Sequence, residues 1–164
     1  MTREPVPEHD SARPATEDVV LFDSTPTRVC RTRTAEGRQV VSKSLRNHAD
    51  PAGAAASIRH EFEIARRIRS DHVIEVYGIE VSDDDVTLVL EDFGGRSLDQ
   101  LMRERPFTLR ETLGIGVQVA RGLDDLHAAD VIHKDITPAN IVYNPDSGIA
   151  KIIDFGISSY LTRE

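Results

Sequence analysis

The sequence predicts an α+β protein built as two lobes, a sheet-rich half followed by a helical half. Three observations carry this. Short β-patterned runs and one helix-patterned segment fill the chain up to residue 93. Gly94-Gly95 then breaks the pattern. Two helix-patterned segments and several short apolar strands follow. A length of 164 residues holds one ordinary core or two small lobes.

Residues 1–18, MTREPVPEHDSARPATED, carry three of the eight prolines and few apolar residues, so a disordered tail is expected there. Order is expected from VVLF (19–22), then RVCRT and QVVSKSL (39–45) around a turn at Ala35-Glu36-Gly37. Asp50-Pro51 supplies a helix cap and a first-turn proline. The helix after it places Ile58, Phe62, Ala65 and Ile68 on one stripe, with Glu61 on that stripe and Glu63 turned away. VIEVYGIE (73–80) and VTLVLEDF (86–93) read as strands about an acidic turn, Ser82 to Asp85. Ser97 can cap a short helix carrying Leu98, Leu101 and Met102. A longer helix from Thr108 to His127 is expected to line up Leu113, Val117, Ala120, Leu123 and Leu126. VIH, NIVYN and KIIDF close the pattern as short strands, with a turn at 144–148.

Composition narrows the function. Hydrophobic residues at 39% and charged residues at 29% suit a soluble globular chain. A net charge of −8 speaks against a generic nucleic-acid or anionic-membrane partner. The basic run 28–46 is read as a solvated strand surface. The single cysteine, Cys30, excludes an internal disulfide framework and fits a reducing compartment. No apolar leader opens the chain and no run approaches the ~20 apolar residues of a membrane span, so the expected location is cytoplasmic.

Chemistry-bearing residues gather at strand ends. VIHKDITPAN (131–140) sets Asp135 and Asn140 about Pro138, and Asp154 ends the next apolar run but one. Taken singly, each is better explained as a turn or strand-end residue. Together, a carboxylate and an amide with a second carboxylate can hold a hard cation such as Mg²⁺ through oxygen, leaving Asp135 to orient a hydroxyl and accept its proton. Glu61, on a buried stripe, calls for a cation, and Lys43, flanked by Val41 and Leu45, calls for an anion. His133 is read as a packed structural histidine.

These segments resemble eukaryotic-type (Hanks-type) protein kinases over roughly residues 19–160. HKDITPAN followed by Asp154-Phe155-Gly156 is similar to that family's catalytic loop and metal-binding triplet. VVSK (40–43) stands where the family has its phosphate-gripping lysine, and LVLEDFGGRSL (88–98) where it has its hinge. The resemblance implies a kinase-like fold with an N-lobe at 19–93 and the first part of a C-lobe at 94–164. It implies ATP and Mg²⁺ as cofactors and a protein hydroxyl as acceptor. Asp135 would then be the catalytic base, Asn140 and Asp154 the metal ligands, and Lys43, paired with Glu61, the grip on the α- and β-phosphates. Val29 and Val41 would line the adenine pocket, backbone groups of Glu91 and Phe93 would meet the base, and Leu90 would stand behind it. EDFGGRSLDQL, IHKDITPAN and KIIDFGIS further resemble the kinase domain at the front of bacterial multidomain sensors that carry ATPase, sensory and signalling modules downstream.

Four departures from the family pattern shape the expectations. Phe22, Ser24 and Thr27 occupy the glycine positions of the phosphate loop, and Val41 replaces a smaller alanine over the adenine. Lys134 replaces the arginine beside the base, exchanging a planar fork for a point charge. Thr137 replaces a lysine. The sequence stops at Glu164, so the activation segment and remaining C-lobe helices are expected to lie outside it, leaving Leu113 and Val117 exposed and phosphoryl transfer by this stretch alone negligible. Two other readings stay open: a kinase-like module that binds nucleotide or a partner without transferring phosphate, and a kinase-like small-molecule phosphotransferase.

Overall fold

The computed structural model describes residues 18–45, 50–81 and 86–160. The expected tail, apart from Asp18, and the acidic turn at 82–85 lie outside the described residues.

The first half is a five-stranded antiparallel sheet with one helix. The strands are β1 (Val19–Asp23), β2 (Thr27–Arg33), β3 (Gln39–Leu45), β4 (Val76–Val81) and β5 (Val86–Glu91), ordered β1-β2-β3-β5-β4. Gly37, at φ 83°, makes the β2–β3 turn, in a backbone region that other residues enter at a cost. Between β3 and β4 runs α1 (Pro51–Ala65), whose N-cap Asp50 accepts from the Gly53 N–H, with Pro51 in the first turn as the sequence predicts. The expected strand at 73–80 starts late: Val73 makes only a single parallel bridge to Ile152, and regular pairing begins at Val76.

Register decides what the sheet offers the cleft. Val29 pairs with Lys43 and Arg31 with Val41, while Lys43 pairs with Leu88 and Val41 with Leu90. Directly paired residues share a face and alternate residues share it too, so Val29, Arg31, Val41, Lys43, Leu88 and Leu90 point the same way. That is the face α1 packs against, with Leu88 and Leu90 in one core with Ile58, Ile64 and Ala65.

The second half begins with β6 (Arg96–Ser97) and α2 (Leu98–Glu104), capped by Ser97. Then α3 (Leu109–Ala128) starts in a capping box of Thr108 and Glu111. After it come β7 (Val131–Ile132), a 3₁₀ turn at Pro138–Asn140, β8 (Ile141–Asn144), β9 (Ile149–Ile152) and β10 (Ser159–Tyr160). Neither β6 nor β10 is visible in the sequence, because each is a two-residue strand created by its partner: β6 lies on β8, and β10 on β7.

The phase of α3 differs from the expected one. Its buried residues are Ile115, Gly122 and Leu126, while Leu113 is 60% and Val117 52% exposed. Leu113 and Leu126 lie thirteen residues apart, about 140° around the helix at 100° per residue, so they never share a face. The exposure of Leu113 and Val117 agrees with the expectation; their alignment with Leu126 does not. At Gly122 α3 packs tightly on the loop between α1 and β4, since a Cβ there would lie 2.9 Å from the His72 carbonyl oxygen. Leu126, Val131, Ile152 and Phe155 join the core that holds Ile58 and Leu88, so one apolar cluster runs through both halves. No helix among the described residues is long and apolar enough to cross a membrane.

Candidate active site

Lys43 and Glu61 meet inside the protein. The residues are 8% and 4% exposed, and Lys43 Nζ donates to both carboxylate oxygens of Glu61 at 3.0 and 2.8 Å. A third bond, 2.8 Å long, joins Nζ to Asp154 Oδ1. One ammonium thus faces two carboxylates, the compensation that makes its burial affordable. Burial pulls the Lys43 ammonium down, but Glu61 and Asp154 outweigh it and hold its pKa above the ordinary lysine value. Burial pushes Asp154 up, yet Lys43 prevails and keeps that carboxyl below its usual range. At Glu61 burial wins over the pull of Lys43 and leaves the carboxyl raised. Glu63, turned outward, pairs instead with Arg66.

Asp154 is held by its own loop. It sits at φ 68°, in a region that non-glycine residues rarely adopt, and its Oδ1 also accepts from the Gly156 N–H at 3.1 Å. Phe155, 1% exposed, locks the adjoining turn: its N–H points at Glu61 Oε1 (3.3 Å), and its ring meets His133 edge-on with centroids 5.3 Å apart.

The loop carrying Asp135 is braced by His133, whose Nε2 lies 2.9 Å from the Ile153 carbonyl and whose Nδ1 accepts from the Asp135 N–H at 3.3 Å. The structural reading of this histidine holds. Asn140 Nδ2 donates to Asp135 Oδ2 at 2.7 Å and to the Asp135 carbonyl at 3.0 Å. The Asn140 carbonyl in turn accepts from the Ile153 N–H at 2.9 Å, tying this loop to the residue before Asp154. Lys134, at φ 70°, is exposed beside the loop.

The half-buried Val29 and Val41 and the buried Leu90 share the sheet face of Lys43. Glu91 is anchored by Lys151 Nζ at 2.5 Å and by the Glu75 N–H at 2.8 Å, and the Phe93 carbonyl accepts from Asn144 Nδ2 at 2.6 Å. Lys43 and Glu61 thus meet Asp154 across the two halves, Glu91 and Phe93 are bonded across them to Lys151 and Asn144, and Asn140 ties Asp135 to the strand that leads into Asp154. What sequence reasoning missed is the bracing around them. Asp92 takes a fork from Arg31 and a bond from Gln39, so part of the basic run 28–46 is engaged rather than solvated. His60 Nε2 reaches the Ser158 carbonyl at 3.0 Å.

A family model described as the protein kinase domain matches residues 26–164. The chain belongs to the protein kinase domain family. Similar curated proteins bear this out for the kinase: "MAP kinase kinase MKK1/SSP32" of Saccharomyces cerevisiae is 38% identical over 108 residues, 62% of this chain and 21% of that protein. "Serine/threonine-protein kinase cst-1" of Caenorhabditis elegans is 36% identical over 104 residues, 62% of this chain and 21% of the relative. "Mitogen-activated protein kinase kinase 9" of Arabidopsis thaliana is 33% identical over 123 residues, 74% of this chain and 38% of the relative. The kinase chain thus spans between about a fifth and two fifths of the length of these relatives.

Proposed function

We propose that this kinase domain binds ATP with Mg²⁺ and serves phosphoryl transfer to a serine or threonine hydroxyl of a protein. The observation that carries the reading is the buried Lys43 bridging Glu61 and Asp154 beside an Asp135 oriented by Asn140. Lys43 presents its charge toward the nucleotide phosphates while Glu61 fixes its position. Asn140 commits its amide nitrogen to Asp135, which leaves its oxygen for a cation; Asp154 commits Oδ1 to Lys43 and Gly156, which leaves Oδ2. Two hard oxygen donors, with the remaining positions left to phosphate oxygens and water, would suit Mg²⁺, which takes few protein ligands. When bound, the ion would neutralise phosphate charge during transfer. Asp135 Oδ2 is occupied by Asn140, so Oδ1 is the atom that would receive the hydroxyl proton.

Val29, Val41 and Leu90 would enclose the adenine, with backbone groups of Glu91 and Phe93 as its polar partners. We place the boundary between N-lobe and C-lobe after Phe93, infer cytoplasmic residence from a lone cysteine that fits a reducing compartment, and infer downstream signalling domains of the bacterial multidomain type from the EDFGGRSLDQL, IHKDITPAN and KIIDFGIS segments.

A second reading, a nucleotide-binding regulatory module, is favoured by Phe22, Ser24 and Thr27 in the phosphate loop, with Phe22 half exposed at the tip of β1. The two part in a transfer assay on the whole polypeptide that carries this domain, with Mg-ATP and a generic serine/threonine substrate. Transfer that Asp135→Asn removes while ATP binding survives supports the kinase; ATP binding with no transfer in either form supports the module.

A further inference from the structure

Asp92 is an unusual hinge residue. It lies between Glu91 and Phe93, where an exposed side chain would be expected, yet its side chain is only 2% exposed. Its carboxylate takes a two-pronged fork from Arg31, through Nε to Oδ2 and through a terminal nitrogen to Oδ1 at 3.1 Å. Gln39 Nε2 donates to Oδ2 at 2.7 Å, and the Gly94 N–H donates to Oδ1 at 2.9 Å. A carboxylate accepts about four bonds, and this one is saturated. Its partners come from β2, from the start of β3 and from the hinge itself. Arg31 stands on the cleft face of the sheet, opposite Val41 and two residues from Val29. The fork therefore closes the outer edge of the same roof that Val29 and Val41 form.

We propose that Asp92 is a positioning residue for the base-binding segment: through Arg31 and Gln39 it fixes the hinge backbone at Glu91–Phe93 and the β2–β3 roof relative to each other. The other side of the hinge is already pinned, by Lys151 and the Glu75 N–H on Glu91 and by Asn144 on the Phe93 carbonyl. Without Asp92 the inner edge of the segment stays anchored and the outer edge does not. Pre-ordering a binding segment raises affinity because less freedom is lost on binding. The charged fork gives the device direction as well as strength. Desolvation works against the Asp92 anion, but the bonds from Arg31, Gln39 and Gly94 overcome it and hold the carboxyl below its usual range, so the fork is intact at neutral pH.

This inference rests on the nucleotide-binding reading, and its test separates the two. Binding of adenosine and of Mg-ATP is measured by calorimetry on the native protein, on Asp92→Asn, on Arg31→Lys and on Lys43→Met. Asp92→Asn and Arg31→Lys are expected to weaken adenosine and Mg-ATP alike, each by roughly tenfold, and their double variant little further. Lys43→Met is expected to weaken Mg-ATP and spare adenosine. In transfer assays, Asp92→Asn raises KM for ATP while kcat stays within about twofold, a split that mere loss of folded protein would not produce. Arg31→Lys keeps the charge at a partly exposed site and removes only the fork, so it reports even if Asp92→Asn folds poorly. Adenosine affinity within about twofold of the native value in both variants overturns the proposal. So does a loss confined to Mg-ATP. A native protein that binds neither adenosine nor Mg-ATP overturns the nucleotide reading and this proposal with it.

Discussion

Lys43 Nζ lies 3.0 and 2.8 Å from the two carboxylate oxygens of Glu61, inside a core that continues from the sheet into the helical half. Two opposite charges so buried stabilise little by themselves, and removing one strands the other. A device of this kind persists where a charge must be presented to something else.

Glu61→Gln is therefore expected to weaken Mg-ATP binding by roughly tenfold, because Lys43 then answers to Asp154 alone. Glu63→Gln, on the exposed face with Arg66, should leave it within about twofold. Titration calorimetry of both variants checks the pair; a larger effect at Glu63 would contradict the assigned geometry.

Asp135→Asn is expected to lower transfer by about 10²–10⁴-fold, the usual weight of a positioned base, with ATP affinity retained. Asn140→Ala should do harm of another kind. It frees Asp135 Oδ2 and removes a donor oxygen, so its transfer rate should recover in part as Mg²⁺ is raised. Steady-state rates across a magnesium series separate the two.

The two apolar faces of α3 give a stability test. Leu126, fully buried, is expected to cost about 2–5 kcal/mol on truncation to alanine. Leu113→Ala, on the exposed face, should cost about 0.5 kcal/mol or less. Urea unfolding of the pair fixes the phase of the helix.

Glu111 predicts the acid limb. Arg105, then the Thr108 backbone and hydroxyl, hold its carboxyl at about 2, below the ordinary 4.5. A depressed folded value means that its contribution is complete above the unfolded pKa and is lost as pH falls from about 4.5 through about 2. Glu111→Gln should lower the thermal midpoint at neutral pH, and its difference from the native protein should shrink across that window in a pH-dependent melting series.

The elements were legible because their signals are local. Asp50-Pro51 and Thr108 mark helix starts, alternation marks β3, and a carboxylate on the α1 stripe names its need for a cation. The phase of α3 was not, since Ile115–Leu126 and Leu113–Val117 both satisfy a helical period and only packing chooses between them. Nor was the hinge bracing. Arg31 and Asp92 are 61 residues apart, as Glu91 and Lys151 are 60 apart, and no local pattern announces such pairs. The site residues themselves came from motif and phase together; the contacts that hold them in place came only from the fold.

The central claim is that Lys43, Asn140 and Asp154 present one Mg-ATP site. Equilibrium binding of ATP to the native protein with and without Mg²⁺, repeated on Asp154→Asn, tests it most directly. The account predicts saturable ATP binding that Mg²⁺ strengthens and a loss of that magnesium increment in Asp154→Asn. ATP binding indifferent to both Mg²⁺ and Asp154, or no binding at all, would contradict it.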